Sequence, residues 1–499
     1  MDQQFLNIAY VTLALGLLLG ISCSVSRLSS WAGIPISLLF LGLGMLTGQD
    51  GLGHIQFANY NAAYWVGVMA LILILYHGGL NTDFKTVRRS LAPSVVLATA
   101  GVVGVASITA AGAFFVLGWF DILSWKHALL FGAIVASTDA ASTFAVLKGL
   151  RLKGRVSHTI ELESGLNDPV AFILVIALTE WVIGSVDLSW WLIGLIFYQL
   201  IIGAAVGLYV GFIHRKIMNW IRLPMLGLYP VRTVAMALAS YGLASVLQGS
   251  GFMAVYIAGI TAASGHLPLK SVLLRVHDAL AWLGQISMFI VLGLLIKPSN
   301  LGSVAIPGTL LGLFIAFVAR PTSVILCLLP FRYRWNERLA VSFLGLRGAV
   351  PIILAIIPVL SIQAAHEHSE NMKELFGLVF FAVVVSCIVP GAFVRPITRI
   401  LRIRNDTPRQ PVAEIEILSI DKLDRHQQTF LITEDSPAAG VKLRDFPLPE
   451  DINVMMIMRG PKIFAARGKT VLEPGDHAFI LYPPDQEEAV RKLVYGTDR

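Results

Sequence analysis

"ELESGLNDPVAFILV" (residues 161–175) sets Glu163, Asn167 and Asp168 at the mouth of an apolar run, directly before Pro169. On a helix Glu163 and Asn167 stand four apart and share a face, as do Ser164 and Asp168. Gly165 and Pro169 weaken the regular backbone there, because proline removes an intrahelical hydrogen bond and often kinks the helix. A carboxylate beside weakened backbone can gather free carbonyls and hydroxyls around a cation near a bilayer midplane. The plainer alternative is a kinked helix near the cytoplasmic surface whose acids are solvated. The surroundings of the stretch must decide.

Those surroundings are hydrocarbon-like. Of 499 residues, 56% are apolar and 14% charged, against about 45–50% and about 25% in soluble domains. Mean hydropathy is +0.73. Polar residues concentrate after 405, which divides the chain into a membrane body (1–398), a basic linker (399–410) and a soluble tail (411–497). The net charge of +7 arises from basic loops between spans, so no nucleic-acid partner is expected. Cys23, Cys327 and Cys387 lie in apolar runs without ligand spacing and read as small packed hydrophobes. Met1 is followed by no basic region and cleavage site, so the first apolar stretch reads as a retained helix.

A hydrocarbon layer about 30 Å thick needs about 20 helical residues. Thirteen candidate spans result: 5–25, 32–47, 62–80, 91–118, 127–148, 163–183, 188–214, 229–248, 251–265, 276–296, 304–330, 336–360 and 373–395. Alternate loops then collect the basic residues, among them Arg88, Arg89, Arg155, Arg215, Arg222, Lys270, Arg275, Arg332 and Arg338. The positive-inside rule makes those loops cytoplasmic, with the N-terminus outside and the tail inside the cell inner membrane.

Polar residues within spans discriminate among channels, transporters and enzymes. In "AIVASTDAASTFAVLKG" (133–149) Thr138 and Asp139 sit halfway along a segment of small residues, and in "VSFLGLRGAVPIILAIIPVL" (341–360) Arg347 lies between Gly345 and Gly348. An always-charged guanidinium in apolar surroundings wants a carboxylate; Glu163 and Asp139 are the candidates, with Glu163 favoured. Asp168 then remains as the group free to change protonation. Arg320 in "AFVARPTSV" is either a second internal cation organising the bundle or a snorkelling residue. Asp278 either lines a route to the site or sits at a helix entrance.

A low-dielectric site raises a carboxylate's pKa towards physiological pH. A proton and a monovalent cation can each neutralise such a group, and competition between them is sufficient for exchange. Asn167 cannot take up a proton, so Asp168 works alone and the expected ratio is one to one and electroneutral. A channel would need a pore with a carbonyl filter such as TVGYG, which the sequence lacks. An enzyme would need paired ligands or bases; His77, and His366 with His368, lack metal-ligand spacing, and no cofactor is expected.

The pieces "STDA" (137–140), "ESGLNDP" (163–169), "GLRGAVP" (345–351) and "ARP" (319–321) resemble the NhaP-type antiporters of the cation:proton antiporter-1 family, over about residues 5–398. The resemblance implies an all-α membrane protein with inverted repeats and crossed broken helices, working as a homodimer. Carried over, Asp168 is the ion- and proton-binding carboxylate. Thr138 and Ser164 supply ligand oxygens, Asn167 bridges towards Asp139, and Glu163 pairs with Arg347. Where the family has "TDP" this chain has Thr138-Asp139-Ala140, so the break there would rest on Gly132 and small residues.

The tail changes period. "AEIEILSI" (413–420) alternates, "NVMMIMRG" is a short apolar run, "HAFILYP" reads as a strand, and "EEAVRKLVYG" as a helix with Ala489, Leu493 and Val494 on its apolar face. With Ser436-Pro437, Gly440 and Gly475-Asp476 this α+β unit resembles the C-terminal regulatory domain of potassium-uptake and potassium-channel proteins. That implies self-pairing and a small regulatory ligand, although no glycine-rich phosphate loop is present. The tail tilts the transported ion towards potassium, with sodium as the alternative, and the basic exit of the last span suits anionic lipid.

Overall fold

The computed structural model describes residues 3–32, 35–82, 88–118, 124–139, 143, 154–185, 190–364, 370–401, 403, 425–434, 436–449, 451–460, 462–483 and 486–496. The strand expected at 413–420, most of the linker, Ala140, His366 and His368 lie outside them. The chain divides into two compact units, one holding residues 1–267 and 272–404 and the other residues 268–271 and 405–499.

The first unit is all helical: α1 (Gln3–Ala32), α2 (Ile36–Thr47), α3 (Tyr60–Asn81), α4 (Leu91–Val116), α5 (Trp125–Ile134), α6 (Gly154–Ile183), α7 (Trp190–Trp220), α8 (Leu228–Val246), α9 (Gly251–Ala263), α10 (Lys270–Leu295), α11 (Ala305–Leu328), α12 (Trp335–Leu344), α13 (Ala349–Ala364) and α14 (Glu370–Ile400). Among the described residues seven of these are long and apolar enough to cross a membrane, and eight if α12 and α13, bent by 54° at a short break, form one span. The sequence leads one to expect thirteen; shorter apolar helical stretches lie at Thr12–Val25 in α1, in α2 and in α9, the last two being 12 and 13 residues long, and α5 ends at Ile134.

Two groups of helices pack most closely within themselves: in one, α3, α7, α8 and α9 lie together; in the other, α4, α5, α6 and α11 to α14. They meet where α6 touches α3, α7 and α9 and where α13 touches α3. Small residues explain the close contacts, since without a side chain backbones approach closely. Gly203, Gly207 and Gly211 recur every four residues along α7, and a Cβ at each would come within 2.5, 2.5 and 2.7 Å of the carbonyl oxygens of Ser250, Ala254 and Ala258 on α9. Gly132 serves α5 similarly, where a Cβ would lie 2.2 Å from Ala106 O on α4. Two helices contain π turns, Leu97–Gly101 in α4 and Ile315–Ala319 in α11. Such turns disturb the backbone ladder, and Ser323 Oγ of α11 donates to Gly101 O at 2.9 Å.

The second unit is a four-stranded antiparallel sheet of order β1-β4-β2-β3, with β1 His426–Leu431, β2 Asn453–Arg459, β3 Lys462–Ala465 and β4 His477–Tyr482, followed by α15 (Glu487–Tyr495). Its core joins Phe430, Ile457, Ile480, Val490 and Val494. The apolar face of α15 is therefore Val490, Leu493 and Val494; Ala489, expected on it, is exposed. Gly475 takes φ +93° in the turn before β4, a conformation glycine adopts at no steric cost. The adjoining Asp476 accepts from Arg459 Nε and Nη2, each at 2.7 Å.

Candidate ion-exchange site

Helix α6 begins at Gly154 and runs 30 residues without interruption through Pro169. Glu163, Asn167 and Asp168 therefore lie near its middle, not at its mouth. Polar residues of "GRVSHTIELES" occupy the first turns, and burial within the bundle carries the helix where hydropathy alone would not. Glu163, Ser164, Asn167 and Asp168 are all at most 2% exposed.

The backbone breaks are in the partners of α6. After Ile134 helix α5 gives way to non-helical residues 137–139, and between α12 and α13 residues 345–348 are non-helical. These two interruptions meet: Asp139 N–H donates to Leu346 O at 2.8 Å, and Arg347 Nε donates to Val135 O at 2.7 Å. Arg347 thus satisfies a carbonyl at the C-terminal end of α5, where positive charge is favoured. A Cβ on Gly348 would fall 1.9 Å from Asp139 Oδ2, and one on Gly345 1.9 Å from Arg320 Nη2. Both glycines of "GLRGA" exist because a charged group presses on the backbone there. The chain leaves the helix at 135–139 with alanine, not proline, at position 140.

The buried ion pair differs from expectation. Arg320 Nη1 lies 2.9 Å from Glu163 Oε1, so Arg320, and not Arg347, takes Glu163. The remaining Arg320 nitrogens reach into α12, with Nε donating to Ser342 O at 3.2 Å. Leu97, Val102, Val105, Ala136 and Val324 wall the pair. Position in sequence could not choose between the two arginines; the π turn immediately before Arg320 lies in the helix that delivers it. Arg320 is accordingly an internal cation, 3% exposed, and does not snorkel.

Thr138 joins α6 directly. Its Oγ1 lies 3.2 Å from Ser164 Oγ and accepts a short hydrogen bond from Asn167 Nδ2. The amide of Asn167 thus reaches Thr138, the neighbour of Asp139 in the broken segment. Neither oxygen of Asp168 is met at full hydrogen-bond geometry among the described residues, nor are Asn167 Oδ1, Ser137 Oγ and Thr143 Oγ1, but the Ser137 hydroxyl is close enough to act on the Asp168 carboxylate. The charge of Asp139 is felt at Asp168. Ser137 and Thr143, which sequence reasoning passed over, are hydroxyls in "ASTDAAST" (136–143), a run whose five polar residues were the available signal. Asp278 is half-exposed and pairs with His77 Nε2 at 3.3 Å.

A buried carboxylate met by no more than a hydroxyl is costly as an anion unless a proton or a cation neutralises it. Four hydroxyl, amide and carboxylate side chains converging from α6 and a broken segment offer such a cation oxygen ligands. Among the described residues no group of three or more His, Cys, Asp or Glu is arranged to hold a metal. A family model described as the sodium/hydrogen exchanger, transmembrane, matches residues 14–400. The chain belongs to that family. This NhaP-like cation:proton antiporter, a transporter and not an enzyme, also matches the TrkA-C domain over residues 428–495. It is 36% identical over 484 residues to a K(+)/H(+) antiporter NhaP of Alkalimonas amylolytica, covering 94% of this chain and 80% of that one. It is 35% identical over 497 residues to K(+)/H(+) antiporter NhaP2 of Shewanella oneidensis, covering 99% and 84%. Among solved structures, the sodium proton antiporter MjNhaP1 of Methanocaldococcus jannaschii at pH 8 superposes with a TM-score of 0.67 at 25% identity, over 80% of this chain and 99% of that one.

Proposed function

We propose that this antiporter exchanges cytoplasmic potassium for external protons, one for one, by alternating access around Asp168. The observation that carries the reading is the buried Asp168 carboxylate, which has no cationic partner among the described residues and lies beside the hydroxyls of Ser137, Thr138 and Ser164 and the amide of Asn167. A proton or a potassium ion neutralises it, and only the neutralised forms reorient. Glu163 is paired with Arg320, Asn167 has no proton to lose, and Asp139 is held against the backbone at Gly348. One titrating group then moves one charge in each direction. Membrane potential acts on moved net charge at about 2.3 kcal/mol per charge per 100 mV and so leaves the cycle unaffected, while each pH unit contributes about 1.36 kcal/mol.

Potassium is supported by the 35–36% identical relatives, which are named K(+)/H(+) antiporters. The sodium alternative is supported by the 28% identical Na(+)/H(+) antiporter 1 of Methanocaldococcus jannaschii. The same reading takes thirteen spans with inverted repeats and crossed broken helices, N-terminus outside, in the inner membrane of the cell. It takes a homodimer of two such bodies, with the TrkA-C-like tail as a cytoplasmic regulatory unit that answers a small ligand and adjusts cell volume and pH. The basic residues where α14 leaves the membrane suit contact with anionic lipid.

Purified protein in proteoliposomes loaded with a pH-sensitive dye tests the assignment. Potassium addition is expected to move protons more strongly than sodium, and Asp168→Asn to abolish the response to both. No proton response to either cation in the unaltered protein would overturn the reading.

A further inference from the structure

Gly165 lies one turn before Asp168 on α6, and Tyr256 of α9 fills the place where its side chain would be. A Cβ on Gly165 would fall 2.4 Å from Tyr256 Cζ and 2.8 Å from its hydroxyl oxygen. Tyr256 is 0% exposed. No donor satisfies its hydroxyl oxygen among the described residues, although a buried tyrosine ordinarily finds a partner. The neighbouring Thr82 Oγ1 gives its own proton to Gly78 O at 2.9 Å and is left to accept the phenol O–H. A phenol oxygen is thus left facing the helix that carries the exchange site, with lone pairs unused.

Residues 161, 165 and 168 are spaced by four and three and line one face of α6. At 1.5 Å per residue, Glu161 stands about 10 Å from Asp168 along the axis, on the Gly154 side. Glu161 is partly buried, accepts from Ser157 Oγ at 2.8 Å, and is the carboxylate whose charge reaches the Tyr256 hydroxyl. The order along the face is therefore a carboxylate, a glycine covered by a phenol, and the Asp168 carboxylate. Tyr256 belongs to the α3–α7–α8–α9 group and Gly165 to the other, so the contact spans the two groups that alternating access would move.

We propose that Glu161 captures the monovalent cation on the Gly154 side of the site and that the Tyr256 hydroxyl ligates it past Gly165 towards Asp168, which makes Tyr256 a specificity-determining residue. The inference rests on the exchange reading above. A carboxylate attracts a hydrated cation; a single neutral oxygen holds a partly dehydrated one without trapping it. The ring is wedged against the α6 backbone, so its oxygen cannot close in on a smaller ion, and field strength and cavity size distinguish sodium from potassium. Gly165 is needed because any side chain would displace the phenol.

The test compares unaltered protein, Tyr256→Phe, Glu161→Gln and Asp168→Asn in the same proteoliposomes, with potassium and sodium titrated separately. Tyr256→Phe keeps the ring and removes the oxygen. It is expected to raise the apparent KM for potassium about fivefold, the scale of one net hydrogen bond, while lowering the maximal rate by much less, and to change the potassium-to-sodium preference. Glu161→Gln is expected to raise KM for both cations, more at low than at high ionic strength. If the unaltered protein exchanges, Asp168→Asn does not, and both other variants keep their KM and ion preference, the inference is wrong and the exchange reading stands. A lowered maximal rate at constant KM in Tyr256→Phe would assign Tyr256 to packing and overturn it as well. Loss of exchange in the unaltered protein would remove the reading beneath it.

Discussion

Helix α6 and the α12–α13 segment handle buried charge in opposite ways. The first carries Glu163, Asn167 and Asp168 on an unbroken backbone, despite Pro169, and depends on other helices for partners. The second breaks at 345–348, and its exposed backbone meets Asp139 and Arg320 with no side chain at Gly345 or Gly348 to intervene. One segment supplies buried polar side chains; the other supplies fixed geometry. A transport site needs both, because a titrating acid on a soft scaffold would relax around each charge state.

Substitutions can break this contrast, and the largest effect is expected at the ion pair. Glu163→Gln leaves the Arg320 guanidinium buried without its counter-charge, which by comparison with other buried pairs destabilises by about 3 kcal/mol; the apparent melting temperature of detergent-purified protein should fall steeply. Gly348→Ala comes next. Its methyl must displace the Asp139 carboxylate, and strain of about 2 kcal/mol is expected, read as a smaller fall in the same assay. Pro169→Ala should leave the melting temperature unchanged or higher, since α6 is already helical there and proline is the residue that disfavours it. A fall as large as that of Gly348→Ala would mean that the special backbone lies in α6 after all.

Two weaker tests sharpen the comparison. Asn167→Ala removes the hydrogen bond to Thr138 and should cost about 1 kcal/mol. Outside the spans, Ser299 donates to Asp50 Oδ2 from its N–H at 3.0 Å and its hydroxyl at 2.6 Å, holding that carboxyl below the usual carboxylate range. The lowered folded value means that the contribution is present above the ordinary carboxylate pKa and lost as pH falls through the folded one. Ser299→Ala should therefore weaken hydrogen-exchange protection of the Asp50 loop at neutral pH and converge with the unaltered protein in acid.

Much of this was legible in the sequence, and the failures have physical causes. Glu163, Ser164, Asn167 and Asp168 announced themselves because polar groups in hydrocarbon demand a reason. Their depth in α6 did not, since hydropathy cannot separate a polar helix inside a bundle from a loop, and the segment 154–162 is polar. Pro169 drew attention to the wrong backbone: the breaks fell at Asp139 and at Gly345–Gly348, where charge meets backbone. Arg347 and Arg320 are both internal guanidiniums, and only three-dimensional neighbourhood assigns Glu163 to Arg320. In the tail, "NVMMIMR" and "HAFILY" formed strands as their runs of apolar residues suggest. Strands β1 and β3 escaped notice because "HQQTFL" and "KIFA" are short and mixed.

The central claim is that Asp168 is the single group whose charge is exchanged. Its most direct test is the initial rate of potassium-driven proton movement in proteoliposomes, measured at a fixed pH difference while the membrane potential is stepped with a potassium-independent clamp. The account predicts the same rate at every potential and none in Asp168→Asn. A rate that rises or falls with potential, or exchange that survives Asp168→Asn, would contradict it and move a second carboxylate, Asp139 or Glu163, into the cycle.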